Sequence, residues 1–247
     1  MKNALDSRKG LKLFGICTLC LTVLCVIFRI VALLFFFEPQ IGYYVSGSPV
    51  AIIAEYLPAL CALLGIVFCF IPKTRVSATT PQFSKITKLS AYVPAATFTL
   101  WTVLFAISLT TYSVLSLLFL ISGALSAAFY FYFALRKKTD TSGVVILFGA
   151  FNIVWCVIAL ASSYFDVAVQ MNAPHKIIFQ FALLCAMILI VNEMRVGSDV
   201  VKSRFHLFSS CISTVLLATS ALPSIIAFLL GKMPASYSVI VYEFILS

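Results

Sequence analysis

Seven nearly unbroken apolar stretches, separated by short polar segments, follow one another along the chain at residues 13–37, 50–71, 89–109, 113–135, 143–165, 174–195 and 205–230. A helix rises 1.5 Å per residue and needs about 20 residues to cross about 30 Å of hydrocarbon, so each stretch predicts one transmembrane helix. Strands of a membrane barrel would instead alternate apolar and polar positions over about 10 residues, and no such period-two pattern occurs. The predicted fold class is therefore all-α, a polytopic membrane protein built as one bundle of seven transmembrane helices across residues 1–247.

The boundaries follow from the breaks. Glu38-Pro39 ends the first span, and Tyr43, Tyr44, Gly47 and Pro49 supply the aromatic and turn residues of a membrane surface. The third and fourth spans meet at Thr110-Thr111-Tyr112; without a turn there they would form one helix about 70 Å long, twice the bilayer thickness. Pro58 is expected to kink the second span by removing a backbone donor. On the fourth, Ser122, Ala124, Ser126 and Ala128 mark a close helix contact. Residues 237–246, with Glu243 among them, are too short to cross and suit an interfacial tail.

Composition agrees with the pattern: 62% hydrophobic residues, 10% charged residues and a mean hydropathy of +1.11 lie far from the norm of water-soluble domains. The net charge of +9 need not imply nucleic acid, because basic residues of a membrane protein are sorted by side. With the N-terminus inside, Lys2, Arg8, Lys9, Lys12, Lys73, Arg75, Lys85, Lys88, Arg136, Lys137, Lys138, Arg195, Lys202 and Arg204 all fall on the cytoplasmic side. Only Lys176 and Lys232 fall outside, with Arg29 within the first span. The positive-inside rule thus predicts N-terminus in, C-terminus out. All eight cysteines lie within spans and read as small packing residues rather than disulfide or metal ligands.

Arg29 is the costliest residue, about 13 Å below the outer end of its stretch. Glu55 lies at comparable depth from the same side, and Asp166 ends the fifth span, so an Arg29–Glu55 ion pair is one expectation and a pair with Asp166 another. Asn172, His175 and Lys176 frame the start of the sixth helix, whose unsatisfied N–H groups behind Pro174 could hold an anionic group. The plainer alternative is an ordinary first-turn proline, with Lys176 snorkelling to the surface. A second charge cluster, Glu193, Arg195, Asp199 and Arg204, frames the inner end; Gly197 argues that the helix stops before Asp199. Ala182, Ala186, Leu189 and Glu193 share one helix face, which would turn Glu193 into the bundle.

The combination Tyr164-Phe165-Asp166, Met171-Asn172-x-Pro174-x-Lys176 and Glu193-x-Arg195 resembles a pattern in uncharacterised multi-spanning membrane proteins of Gram-positive anaerobic bacteria. That resemblance implies a bacterial plasma membrane and carries no activity with it.

No zinc-protease, Walker A, nucleophile-elbow or aspartate-rich motif is present, so no enzyme, metal or cofactor is expected. The seventh span has no lysine before Lys232, against a retinal pigment. Two functional classes follow. In one, Arg29, Glu55, Asp166, Asn172, His175 and Lys176 converge as an outward-facing polar cavity for binding or transport of a small molecule. In the other, a regulatory or structural subunit docks another membrane protein through dispersed charges, basic loops and an apolar groove. The lipid bilayer is the partner common to both.

Overall fold

The computed structural model describes residues 2–38, 42–70, 85–109, 113–135, 143–165, 173–197 and 203–231. Among them are seven helices, α1 (Lys2–Phe35), α2 (Pro49–Phe70), α3 (Lys85–Ser108), α4 (Val114–Leu135), α5 (Gly143–Phe165), α6 (Pro174–Gly197) and α7 (Ser203–Leu229). Five contain segments long and apolar enough to cross a membrane: Lys12–Phe35, Val114–Leu135, Ile146–Phe165, Pro174–Arg195 and Phe205–Ala227. α2 and α3 contribute the shorter apolar segments Pro49–Gly65 and Ala91–Ile107.

Three details differ from the sequence expectation. α1 starts at Lys2, so Arg8, Lys9 and Lys12 ride on a helical extension of the first span. α3 starts at Lys85, which places Lys85 and Lys88 on a helix rather than in the preceding loop. Between α1 and α2 the chain forms a small antiparallel hairpin, β1 (Phe37–Glu38) paired with β2 (Tyr43–Tyr44), which the sequence reading did not place, while the fold class is all-α as expected. Gly42 and Gly47 shape this connection at φ 77° and 82°, which residues with a Cβ rarely adopt. The interfacial tail expected at 237–246 lies outside the described residues.

Neighbouring helices form a chain of contacts: α3 on α4, α4 on α5, α5 on α6, α6 on α7, and α7 on both α1 and α2, which also touch each other. α1 and α7 run parallel, since Phe14 clusters with Cys211, Cys25 with Val215, and Leu33 with Ala227. The outer surface is apolar. Leu13, Leu19, Leu63, Val67, Ile107 and Leu147 are all largely exposed, while serines, threonines and an arginine are buried. Water would penalise that distribution, and lipid does not.

Two kinds of contact hold the bundle. In α3, α4 and α5, Phe98, Trp101, Phe119 and Trp155 form one buried aromatic cluster, with Trp155 edge-on to Phe98 at 5.0 Å and to Trp101 at 5.3 Å between ring centroids. Between α6 and α7, Asn192 donates from Nδ2 to Ser209 Oγ at 2.9 Å and Ser213 Oγ donates to the Cys185 carbonyl at 2.8 Å. Such polar contacts link helices that gain little from hydrophobic burial against lipid.

The α4 contact face is Ser122, Gly123, Ser126 and Ala127. Ala124, expected on that face, is exposed, because a four-residue spacing from Ser122 and Ser126 excludes it. A Cβ on Gly123 would strike the Trp101 ring and crowd Thr102 Oγ1, while one on Gly149 would strike the Met194 side chain. Gly123→Ala is therefore expected to destabilise the protein by about 1–3 kcal/mol. Gly149→Ala should cost less, because the thioether can move aside. Thermal unfolding of both variants in detergent checks the order, and a larger loss at Gly149 than at Gly123 would contradict this packing.

Candidate functional site

Thr22, Cys25, Arg29, Ala32 and Leu33 repeat at three- and four-residue spacing on α1, and all are buried. Val23, Leu24 and Ile27 occupy the opposite, exposed face. The helix that carries Arg29 thus turns it away from lipid and into the bundle, where it is 0% exposed. It lies six residues before the end of α1 at Phe35, or about 9 Å along the helix axis.

The guanidinium meets the first turn of α6. Arg29 donates from Nη2 to Nδ1 of His175 at 3.2 Å. His175 and Lys176 are each 1% exposed, so Lys176 does not snorkel to the surface, as the plainer reading held. Lys176 takes part in an interaction of its own. α6 begins at Pro174, and the Ile177 amide donates to the Ala173 carbonyl at 3.1 Å, so the helix ladder starts at this proline as expected. The remaining first-turn N–H groups place the positive end of a 24-residue helix beside Arg29.

The decisive feature is what Arg29 does not touch. Its Nε and Nη1 are buried and have no hydrogen-bond partner among the described residues. These two nitrogens carry three of the five guanidinium N–H donors. An unsatisfied donor on a buried charged group costs more than the 1–3 kcal/mol typical of neutral groups, and a cation without a counter-ion costs several kcal/mol more. The region also holds a small apolar cap, in which Leu33, Ala173 and Ala227 pack with Phe37 and Tyr44 of the hairpin. On α7, Ser220 and Ser224 are buried about 13 and 8 Å from the end of the helix that lies beside this cap.

Glu55 does not join this site. It lies on the exposed side of α2, while Ala51, Ala54 and Cys61 face the bundle. The expected Arg29–Glu55 ion pair is thus replaced by the Arg29–His175 contact. Asp166 and Asn172, the other two residues expected here, lie outside the described residues.

At the opposite end of α6, Glu193 is half-buried and Arg195 exposed. Glu193 lies within electrostatic reach of Tyr130, whose hydroxyl accepts a 3.0 Å hydrogen bond from Asn152 Nδ2. α6 ends at Gly197, as its glycine suggested. Asp199 lies outside the described residues, as does the side chain of Arg204. The serine stripe of α7 was missed by sequence reasoning. Ser209, Ser213, Ser220 and Ser224 are buried and recur at multiples of three to four residues, a period visible in the sequence once α7 is read as a packed rather than lipid-facing helix.

The chain matches no protein-family model, no curated protein and no solved structure.

Proposed function

We propose that this protein is a seven-span integral membrane protein of a bacterial plasma membrane. It binds a small molecule at the buried site formed by Arg29, His175 and Lys176, and that binding is the core of either a carrier or a substrate-binding subunit. The supporting observation is the fully buried guanidinium, whose Nε and Nη1 have no acceptors among the described residues. A protein that served only as a scaffold would gain nothing from a cation held this way, whereas a ligand that matches those donors recovers the cost on binding.

The proposal of seven crossings rests, for α2 and α3, on helix length. α2 has 22 residues and α3 has 24, about 33 and 36 Å of helix, each enough for the hydrocarbon core. The distribution of basic residues then sets the N-terminus inside, which puts the hairpin and the Arg29 site on the outer side. In a variant lacking the native cysteines, Val45→Cys should react with a membrane-impermeant maleimide in intact cells. Ser77→Cys should react only in inverted vesicles. The reverse labelling would overturn the orientation.

Binding is tested by purification in mild detergent followed by native mass spectrometry. A small molecule retained by the wild-type protein and lost in Arg29→Met is the expected result. A stoichiometric protein partner with no retained small molecule would favour the docking subunit instead.

A further inference from the structure

We propose that the ligand of the Arg29 site is a monovalent carboxylate, which binds by accepting two parallel hydrogen bonds from the guanidinium. This rests on the binding role assigned above and adds the chemical class.

The charge comes first. Among the described acids, Glu38 and Glu55 are exposed, Glu193 lies at the far end of α6, and Asp6 lies near the start of α1, far along the helix from Arg29. Arg29 therefore has no described counter-ion, and its Nη2 bond goes to a histidine nitrogen that brings no negative charge. Lys176, the other buried cation, takes part in an interaction of its own, and the ligand is assigned to Arg29 alone. The charge to be matched at the guanidinium is one. A monoanion neutralises the guanidinium, and a second negative charge there would need a partner that Arg29 does not supply.

Shape comes second. A guanidinium is a planar fork, and a carboxylate presents two coplanar oxygens at matching separation. His175 accepts at Nδ1, which assigns the ring hydrogen to Nε2. The first-turn amides of α6 add donors at its positive end. Arg29 and the first-turn amides of α6 thus offer hydrogen rather than accepting it, which disfavours ammonium ligands by repulsion and amides by charge.

The carboxylate has two possible sources, a small acid from the outer aqueous phase or a fatty acid from the outer leaflet. A phospholipid phosphate is disfavoured, because it resides at the headgroup level while Arg29 lies about 9 Å inside the helix end.

The test uses the full-length protein in nanodiscs of zwitterionic lipid, with isothermal titration and thermal unfolding as readouts. The probes are sodium propionate and benzoate, propionamide, propylamine, sulfate and inorganic phosphate, with oleate added to the bilayer in a second arm. Propionate, benzoate or oleate should bind saturably and raise the unfolding midpoint, with propionamide at least about tenfold weaker. Arg29→Lys should retain binding about tenfold weaker, since a point charge replaces the fork, and Arg29→Met should abolish it. A response to oleate alone assigns the bilayer source, and a response to propionate or benzoate the aqueous one; either supports the carboxylate class. Equal or tighter binding of propionamide, propylamine, sulfate or phosphate would overturn the carboxylate class while leaving a ligand site in place. No response to any probe, together with no molecule retained in native mass spectrometry, would overturn the binding role itself.

Discussion

Arg29→Met should make the ligand-free protein more stable, although it removes a fully buried side chain and its bond to His175. Methionine fills nearly the same length with no charge and no donors. Replacing buried charges with apolar groups of similar volume commonly gains about 1–4 kcal/mol, and Arg29 begins without a described counter-ion. Against this stands His175 Nδ1, which loses its donor at a cost of about 1–3 kcal/mol. The balance of the mid-range values is a gain of about 0.5 kcal/mol, read as a rise of about 1–2 °C in the unfolding midpoint of a protein this size. Binding should fall by about 30-fold to several thousand-fold, the cost of removing one partner from a buried hydrogen-bonded charge pair. Stability and binding thus move in opposite directions. A midpoint that falls by several degrees in the ligand-free variant would show that Arg29 holds the fold.

Trp155→Ala should be the most damaging single change away from the site. Trp155 is 0% exposed and contacts Phe98, Trp101 and Phe119, from α3 and α4, so it joins three helices. Within lipid the separated helices are not exposed to water, and the loss is mostly of dispersion contacts around an unfilled hole. Large aromatic deletions cost about 3–5 kcal/mol in water-soluble cores, and the lower end applies here. The variant retains Trp101 as its only tryptophan, at the edge of that hole, so its fluorescence reports the change without interference. Trp155→Phe should recover most of the loss. An unaltered unfolding midpoint in Trp155→Ala would mean that the aromatic cluster does not hold α3, α4 and α5 together.

What could be read from the sequence divides along a physical line. Helix positions were legible, because hydrocarbon thickness fixes the length of an apolar run and polar residues end it. Which residues face one another was less so, because lipid and protein interior are equally apolar and hydropathy does not separate the two sides of a membrane helix. Glu55 shows the consequence. Its depth matches that of Arg29, and depth alone suggested a pair, but Ala51, Ala54, Pro58, Cys61 and Gly65 form the small-residue stripe that packs inward and leave Glu55 off it. The same kind of stripe on α1, Thr18, Thr22, Cys25 and Arg29, points the arginine inward. The meeting of Arg29 with His175 depends on α1 lying beside the start of α6, a neighbour relation that no local pattern encodes. The hairpin was half legible: its tyrosines and glycines marked a surface turn, while two-residue strands are too short to show a period.

The burial of Lys176 illustrates a related difficulty. A lysine in the first turn of a membrane helix ordinarily extends to the headgroups, and only the packing of α1, α7 and the hairpin around that turn closes the route. A buried guanidinium with two nitrogens that lack acceptors among the described residues is costly for a resting protein, and the proposed anion site rests on that cost.

The most direct test of that account is an experimental density map of the protein purified from its native membrane without added ligand. Non-protein density about 2.7–2.9 Å from Arg29 Nε or Nη1 is the expected result. A carboxylate from the chain itself at that position, such as Asp166 or Glu243, would contradict it and make the site a structural ion pair.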